Sequence, residues 1–307
     1  MPALPKSLLQ SLQRLTGFNS AAFERAHQEG NTVTSIRVNS KKWKHYNPGK
    51  KPDDFLPVDK KVSWSSNGYY LTHRPAFIFD PLLHAGAYYV QDASSFFIEQ
   101  IINQATDLSQ SLRALDVCAA PGGKSTLLQS VLSSQSIIVA NEVIAMRAGI
   151  LSENITRWGS PNVIVTQNDP KHFQSLPGYF DIVLVDAPCS GSGMFRKDPD
   201  VIKEWFPQQV ALCSQRQQRI LADIMPALKQ NGLLIYSTCS YSPEENEAIA
   251  DWLLDTFQLE PISISLQEDW GIAITESPRH HAPGYRFYPH LLQGEGLYIA
   301  CFRKKNS

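Results

Sequence analysis

Apolar residues recur along this sequence in two rhythms, and the change from one to the other falls near residue 112. Beyond that point, short β-rich runs at 113–117, 136–140, 162–166, 181–185 and 232–237 alternate with stretches of helical period, clearest at 144–158 and 208–229. Strand-length runs separated by helix-length ones predict a parallel sheet wrapped by helices on both faces. A ligand on such a sheet sits outside the carboxyl ends of the strands. Before residue 112 the pattern is mixed. Leucines at helical spacing predict a helix over 7–16 that stops near Gly17, and 33–39 reads as a strand. Ser66-Asn67-Gly68 between two apolar runs predicts a hairpin turn. The expected organisation is therefore a smaller α+β region over 1–105 and a Rossmann-like α/β domain over 106–307.

Composition narrows the class. Hydrophobic residues make up 43% of the 307 and charged residues 19%, as in an ordinary globular protein. No apolar run is long enough to span a membrane, and the amino terminus lacks the apolar core of a secretory signal. The five cysteines, at 118, 189, 213, 239 and 301, are odd in number and form no CxxC pair. That argues against a disulfide framework or a metal site and favours a reducing, cytoplasmic setting. Cys213 and Cys301 read as buried small hydrophobes. Net charge is −1, but it is unevenly spread: residues 1–75 hold 12 Lys and Arg against 5 Asp and Glu. A basic amino-terminal face suits a phosphate-bearing partner, or is merely a solvated surface. Within it the basic run 41–51 carries Trp43 and Tyr46, a mixture able to hold phosphates and stack bases or to form a plain surface loop.

Four segments carry chemistry, each at a predicted strand end. Residues 115–126, LDVCAAPGGKST, run a strand into a glycine pair and a helix start, where small residues admit a ligand to backbone N–H groups. A P-loop would need Gly where Cys118 stands, which disfavours a nucleotide hydrolase. Glu142 and Asp169 follow the next two strands, in register to receive the ribose hydroxyls and the adenine of a nucleoside ligand. Asp186-Ala187-Pro188-Cys189-Ser190-Gly191 follows a very apolar strand, which a carboxylate leaves at a cost unless it has a partner. Tyr236-Ser237-Thr238-Cys239-Ser240 precedes Ser242-Pro243-Glu244-Glu245, which reads as an N-cap, a first-turn proline and a capping box. On that reading the glutamates cap a helix and carry no catalysis, while Cys239 sits before a helix start, a position that favours a thiolate. Carbon 5 of cytosine is a poor nucleophile. Thiolate addition at carbon 6 makes it enamine-like, contact at ring N3 promotes that addition, and a base must then remove the carbon-5 proton.

Together with Ser35-Ile36-Arg37-Val38-Asn39, Gln91-Asp92-Ala93-Ser94-Ser95, Arg286-Phe287-Tyr288-Pro289-His290 and Gly294-Glu295-Gly296, these motifs resemble the RNA cytosine-C5 methyltransferase family, also called the Nop/Sun family. The resemblance implies a class I methyltransferase fold with a mostly parallel seven-stranded sheet, an amino-terminal RNA-binding region, and S-adenosylmethionine as cofactor. Cys118, Ala119, Ala120, Pro121, Gly122, Gly123 and Lys124 would line the cofactor, with Glu142 on its ribose and Asp169 on its adenine. Asp186 would lie between cofactor and base and contact ring N3. Cys239 would be the nucleophile and Cys189 the residue aiding product release. DNA cytosine-C5 enzymes use the cysteine of a Pro-Cys pair instead, so the Pro188-Cys189 assignment stays open here. Lys197 is carried as a further site residue. The pattern is most similar to bacterial members acting on small-subunit ribosomal RNA, with transfer RNA as the alternative substrate. Those members carry an extra RNA-binding segment after the catalytic domain, whereas this sequence stops soon after it. A monomer is expected, with no metal and no membrane partner. A catalytically silent RNA-binding or assembly protein is the rival from another class.

Overall fold

The computed structural model describes residues 2–306. Near the amino terminus, strands β1 (Thr34–Val38), β2 (Val58–Lys61), β3 (Gly68–Leu71) and β4 (Tyr88–Val90) form an antiparallel sheet in the order β2-β3-β1-β4. The turn through Ser66-Asn67-Gly68 lies in the β2–β3 connection, as its sequence implies. The first helix is shorter than expected, Lys6–Leu12, because only Leu8 and Leu12 find a buried surface. That surface is supplied by Phe195, Trp205 and Tyr241 from the far side of the chain.

The basic run departs from the expected open, turn-rich segment. Ser40–Tyr46 is a helix, capped by the Asn39 side chain, which accepts from the Lys42 N–H. Trp43 is 5% exposed, and its indole N–H donates to the Lys50 carbonyl. Lys42 spends its ammonium on the carbonyls of Ala85 and Arg157. Neither side chain is free for nucleic acid, because burial and hydrogen bonding claim both.

The large sheet contains β5 (Arg113–Asp116), β6 (Ile137–Asn141), β7 (Val163–Thr166), β8 (Phe180–Asp186) and β9 (Leu228–Thr238), all parallel, in the order β7-β6-β5-β8-β9. It continues antiparallel through β13 (Leu297–Lys304), β12 (Pro283–Phe287) and β11 (Ala273–Glu276), with β10 (Leu259–Pro261) also paired to β13. The sheet thus has nine strands among the described residues where seven were expected. The surplus lies at the antiparallel end, where short strands gain stability from pairing rather than from local pattern. Strand order reverses between β5 and β8. That reversal opens a crevice at their carboxyl ends, the point where doubly wound sheets hold their ligands.

Alternate residues of the strands enter different cores. Ala114, Ile182, Leu184, Leu233 and Ile235 face one; Leu115, Val183, Val185, Leu234 and Tyr236 face the other. The helix Ile98–Ala105 and residues Trp64 and Tyr70 of the amino-terminal region join the first, so the regions share a core. Arg37 fastens them further. It is 2% exposed, and it donates to Gln91, to the Gly123 and Thr126 carbonyls, and to the Thr126 and Ser130 hydroxyls. Burial lowers its guanidinium to about 9. A charge this deep is tolerated because every bond it makes is to a strong acceptor. No described helix is long and apolar enough to cross a membrane.

Candidate functional site

At the carboxyl ends of β5 and β8 lies a cavity of about 340 Å³. One wall is the turn after β5: Cys118, Ala119, Ala120, Pro121, Gly123 and Lys124 line it. Gly122 holds φ +111° at the turn, a conformation L side chains rarely adopt, and a Cβ there would also press on Leu151 at 3.2 Å. The helix Gly123–Val131 starts at this turn. Its opening is braced from below, since Gly123 offers its carbonyl to Arg37 at 3.1 Å. Tyr89, Gln91 and Ser95 of the amino-terminal region close another side.

Opposite stands Cys239, with Asp186, Met194, Lys197 and Glu295 around it. Asp186 accepts from the Lys124 ammonium at 2.7 Å and from the Ser237 hydroxyl at 2.7 Å. While that ion pair holds, Asp186 is an acceptor on both oxygens, and Lys124 is the donor of the pair. Burial works against the Lys124 charge, but Asp186 prevails and lifts its pKa, with Asp116 and Cys239 adding to the effect. Lys124 is therefore a standing positive charge beside the Cys239 sulfur. Cys118, by contrast, is pushed up by burial and by three surrounding carboxylates, so it keeps its proton.

Cys189 does not line the cavity; its Sγ lies 3.0 Å from that of Cys239. The hydrogen bond with Cys239, then burial, push its pKa well up. Cys189 is thus the thiol, and the donor, whenever Cys239 is a thiolate. The expected capping role for Glu245 is not what the side chain does. Ser242 makes no side-chain cap, and the helix proper begins only at Glu247. Glu245 is fully buried. It accepts from the Ser190 N–H and hydroxyl at 2.9 and 2.5 Å, from Ser240 Oγ at 2.6 Å and from Gln217 at 3.0 Å. Ser190 follows Cys189 and Ser240 follows Cys239, so one carboxylate grips the residue after each cysteine. Its pKa is raised by burial against the pull of those donors. Gly193 completes the assembly: its N–H donates to the Cys239 carbonyl and its carbonyl accepts from Gly296. A Cβ on Gly193 would meet the carbonyl oxygens of Cys239 and Gly296 at 2.7 and 2.4 Å.

Glu142 and Asp169 stand outside the cavity lining. Glu142, buried after β6, accepts from the Ile144 N–H through one oxygen. Its other oxygen makes no hydrogen bond, although Arg147 lies 3.3 Å away. Asp169 caps the turn Pro170–Ser175 by accepting from Lys171 N–H. Sequence reading missed Asp116 as a site residue. Ser125 donates to one of its oxygens at 2.6 Å, while the other has no partner and belongs to the cavity wall. Burial raises its pKa to about 7. The unpartnered oxygen of Asp116 is an acceptor for a ligand bringing hydroxyl or ammonium donors, which suits an adenosyl amino acid, whereas the second Glu142 oxygen is ion-paired with Arg147.

A family model described as 16S rRNA methyltransferase RsmB/F matches residues 104–303. A second, the N-terminal domain of 16S rRNA methyltransferase RsmF, matches residues 4–93. The chain is 34% identical over 253 residues to ribosomal RNA small subunit methyltransferase F of Aeromonas salmonicida, covering 80% of this chain and 52% of that protein. It is 36% identical over 225 residues to the protein of the same name from Escherichia coli strain K12, covering 72% of this chain and 45% of that one. The chain thus spans about half the length of the curated relatives it matches. Among solved structures, a methyltransferase homolog from Pyrococcus horikoshii superposes with a TM-score of 0.74 at 28% identity, over 98% of this chain and 100% of that one.

Proposed function

The chain belongs to the RsmB/F family of 16S rRNA methyltransferases, and on that premise we propose that it methylates carbon 5 of a cytosine in small-subunit ribosomal RNA, with Cys239 as covalent nucleophile. The observation that carries this reading is one cavity bounded by the glycine-rich turn on one side and Cys239 on the other. In it residues 1–105 are the RNA-binding region and 106–307 the catalytic domain of a monomeric, cytoplasmic protein. S-adenosylmethionine, when bound, supplies an electrophilic methyl group. Cys118 to Lys124 and Asp116 would hold its methionine part, Glu142 its ribose and Asp169 its adenine.

The chain's own residues account for the remaining steps. The thiolate of Cys239, beside the Lys124 ammonium, adds to carbon 6 of the base. Asp186 and Lys124 meet the N3 edge of the ring, where Lys124 donates to N3 and Asp186 accepts from the neighbouring amino group. Negative charge pushed onto the ring by the thiolate is thereby met by an ammonium already in place. Carbon 5, now enamine-like, takes the methyl. Its proton must then leave before the Cys239–carbon 6 bond can break. Cys189 is held protonated chiefly by its hydrogen bond with Cys239. Once Cys239 is a thioether its charge is gone and that restraint is lifted, so Cys189 releases its thiol proton to solvent and its thiolate takes the carbon-5 proton, which lets the Cys239–carbon 6 bond break. What favours Cys239 over Cys189 as nucleophile is that Cys239 alone of the two lines the cavity.

The test supplies radiolabelled S-adenosylmethionine with unmodified small-subunit RNA, the assembled subunit and bulk transfer RNA. Label recovered as 5-methylcytidine in either ribosomal sample is the expected result. Label in transfer RNA alone would move the substrate class. Cofactor binding with no RNA labelled would favour a silent assembly protein.

A further inference from the structure

A second groove, of about 320 Å³, adjoins the cavity and shares Val90, Gln91, Asp92, Lys197 and Glu295 with it. Its remaining wall is the start of β1, at Thr32, Val33, Thr34 and Ser35, together with Arg74 from the loop after β3. It therefore runs between the two regions and opens beside Cys239. The carboxylates in it are occupied. Asp92 accepts from the N–H groups of Ser94 and Glu295, and Glu295 is paired with buried Arg196 at 3.2 Å. The cations are not: among the described residues Arg74 and Lys197 make no ion pair and no side-chain hydrogen bond, Lys197 acting on Glu295 only at longer range, and both are exposed. Arg74 is propped over the Phe77 ring at 5.3 Å rather than neutralised. The loop that carries it also leaves Ile78 and Phe79 72% and 83% exposed, apolar surface that nothing among the described residues covers.

We infer that this groove and the 72–79 loop form the track for the RNA strand next to the flipped cytosine. Arg74 and Lys197 take backbone phosphates at the mouth of the cavity, and Phe79 stacks on a neighbouring base. The inference rests on the RNA-methylating reading above. Two unpaired cations, one from each region, sit where a strand entering the cavity must pass. An exposed aromatic on the same loop suits a single strand with splayed bases better than a duplex or a protein partner.

The two contacts differ in their response to salt, which makes them separable. Each phosphate contact releases counterions, so its loss lowers the slope of log affinity against log salt by about 0.7 for single-stranded RNA. A stacking contact leaves that slope unchanged. RNA affinity and methylation kinetics would be measured across a salt series for the full chain, with Arg74→Ala, Arg74→Glu, Lys197→Ala and Phe79→Ala beside wild type, on whichever RNA the wild type labels best. Lys203→Ala, remote in role and paired with Asp200, is the control. Arg74→Ala and Lys197→Ala are expected to raise KM about tenfold and flatten the slope, and Arg74→Glu more so. Phe79→Ala is expected to raise KM with the wild-type slope, and cofactor affinity stays the same in the Arg74 and Phe79 variants. Wild-type KM and slope in Arg74→Glu and Phe79→Ala would overturn the inference while leaving the methylation reading intact. If the wild type bound RNA but transferred no methyl, and Arg74→Glu still lost that binding, the track would stand and the catalytic reading would fall.

Discussion

Glu245 shows how one side chain can set the spacing of two others. Its carboxylate grips Ser190 and Ser240, the residues that follow Cys189 and Cys239, and the two sulfurs rest 3.0 Å apart as a result. Glu245→Ala removes the clamp and leaves two buried hydroxyls and an amide unmatched. A misplacement of about 1 Å at a reacting centre costs on the order of 100-fold in rate. The expected outcome is a kcat lower by roughly that factor with KM for RNA little changed, and partial recovery in Glu245→Gln, which keeps one acceptor oxygen. Steady-state kinetics decide it, and an equal loss in both parameters would contradict the clamp. This residue also marks a limit of sequence reading. Ser-Pro-Glu-Glu satisfies every local rule for a helix cap, and the partner that overrides it, Ser190, is 55 positions away.

At the scale of elements, what could be read was what is encoded locally. The five parallel strands and the helices Ala145–Trp158 and Pro207–Ile224 fall within a few residues of their expected places. Their hydrophobic pattern and their burial have the same cause. The antiparallel strands Leu259–Pro261, Ala273–Glu276 and Pro283–Phe287 were not read. They are short, and partners distant in sequence make them. The helix Ser40–Tyr46 was hidden by its charge: four of its seven residues are Lys or His, and only Trp43 is buried. The helix Ser20–Glu29 carries a pH-sensitive joint. His27 near its end donates from Nδ1 to the Phe23 carbonyl at 2.8 Å and packs against Phe23 at 4.3 Å between ring centres. Burial, helped by Arg196 and His290, lowers its pKa from 6.5 to about 4. Between those values the unfolded chain holds the proton and the folded chain does not. Stability is thus full above about pH 6.5 and falls as pH drops toward 4, by about 3 kcal/mol in all. Urea midpoints at pH 7.5 and 4.5 should differ less in His27→Leu than in wild type. An unchanged difference would mean that other groups carry the acid limb.

At the scale of the whole molecule, the two sheets stand or fall together. Trp64 and Tyr70 share a core with Tyr285 and Phe287, and Arg37 reaches from β1 into the helix after the glycine-rich turn. Arg37→Ala should destabilise by about 3–5 kcal/mol, since it abandons several buried acceptors at once. Tryptophan fluorescence and far-UV circular dichroism should report one coincident unfolding transition, and two separated transitions would contradict a shared core. The same junction forms the cavity, because Tyr89 and Gln91 of one region face Cys239 of the other. The account's central claim is that Cys239 attacks the base while Cys189 frees the product. Its most direct test is to incubate Cys189→Ala, and Cys189→Ala combined with Cys239→Ala, with cofactor and the RNA labelled by wild type, then resolve the products under denaturing conditions. The account predicts a covalent protein–RNA adduct that accumulates in the single variant and is absent from the double one. An adduct that survives in the double variant, or one that forms in Cys239→Ala alone, would contradict it.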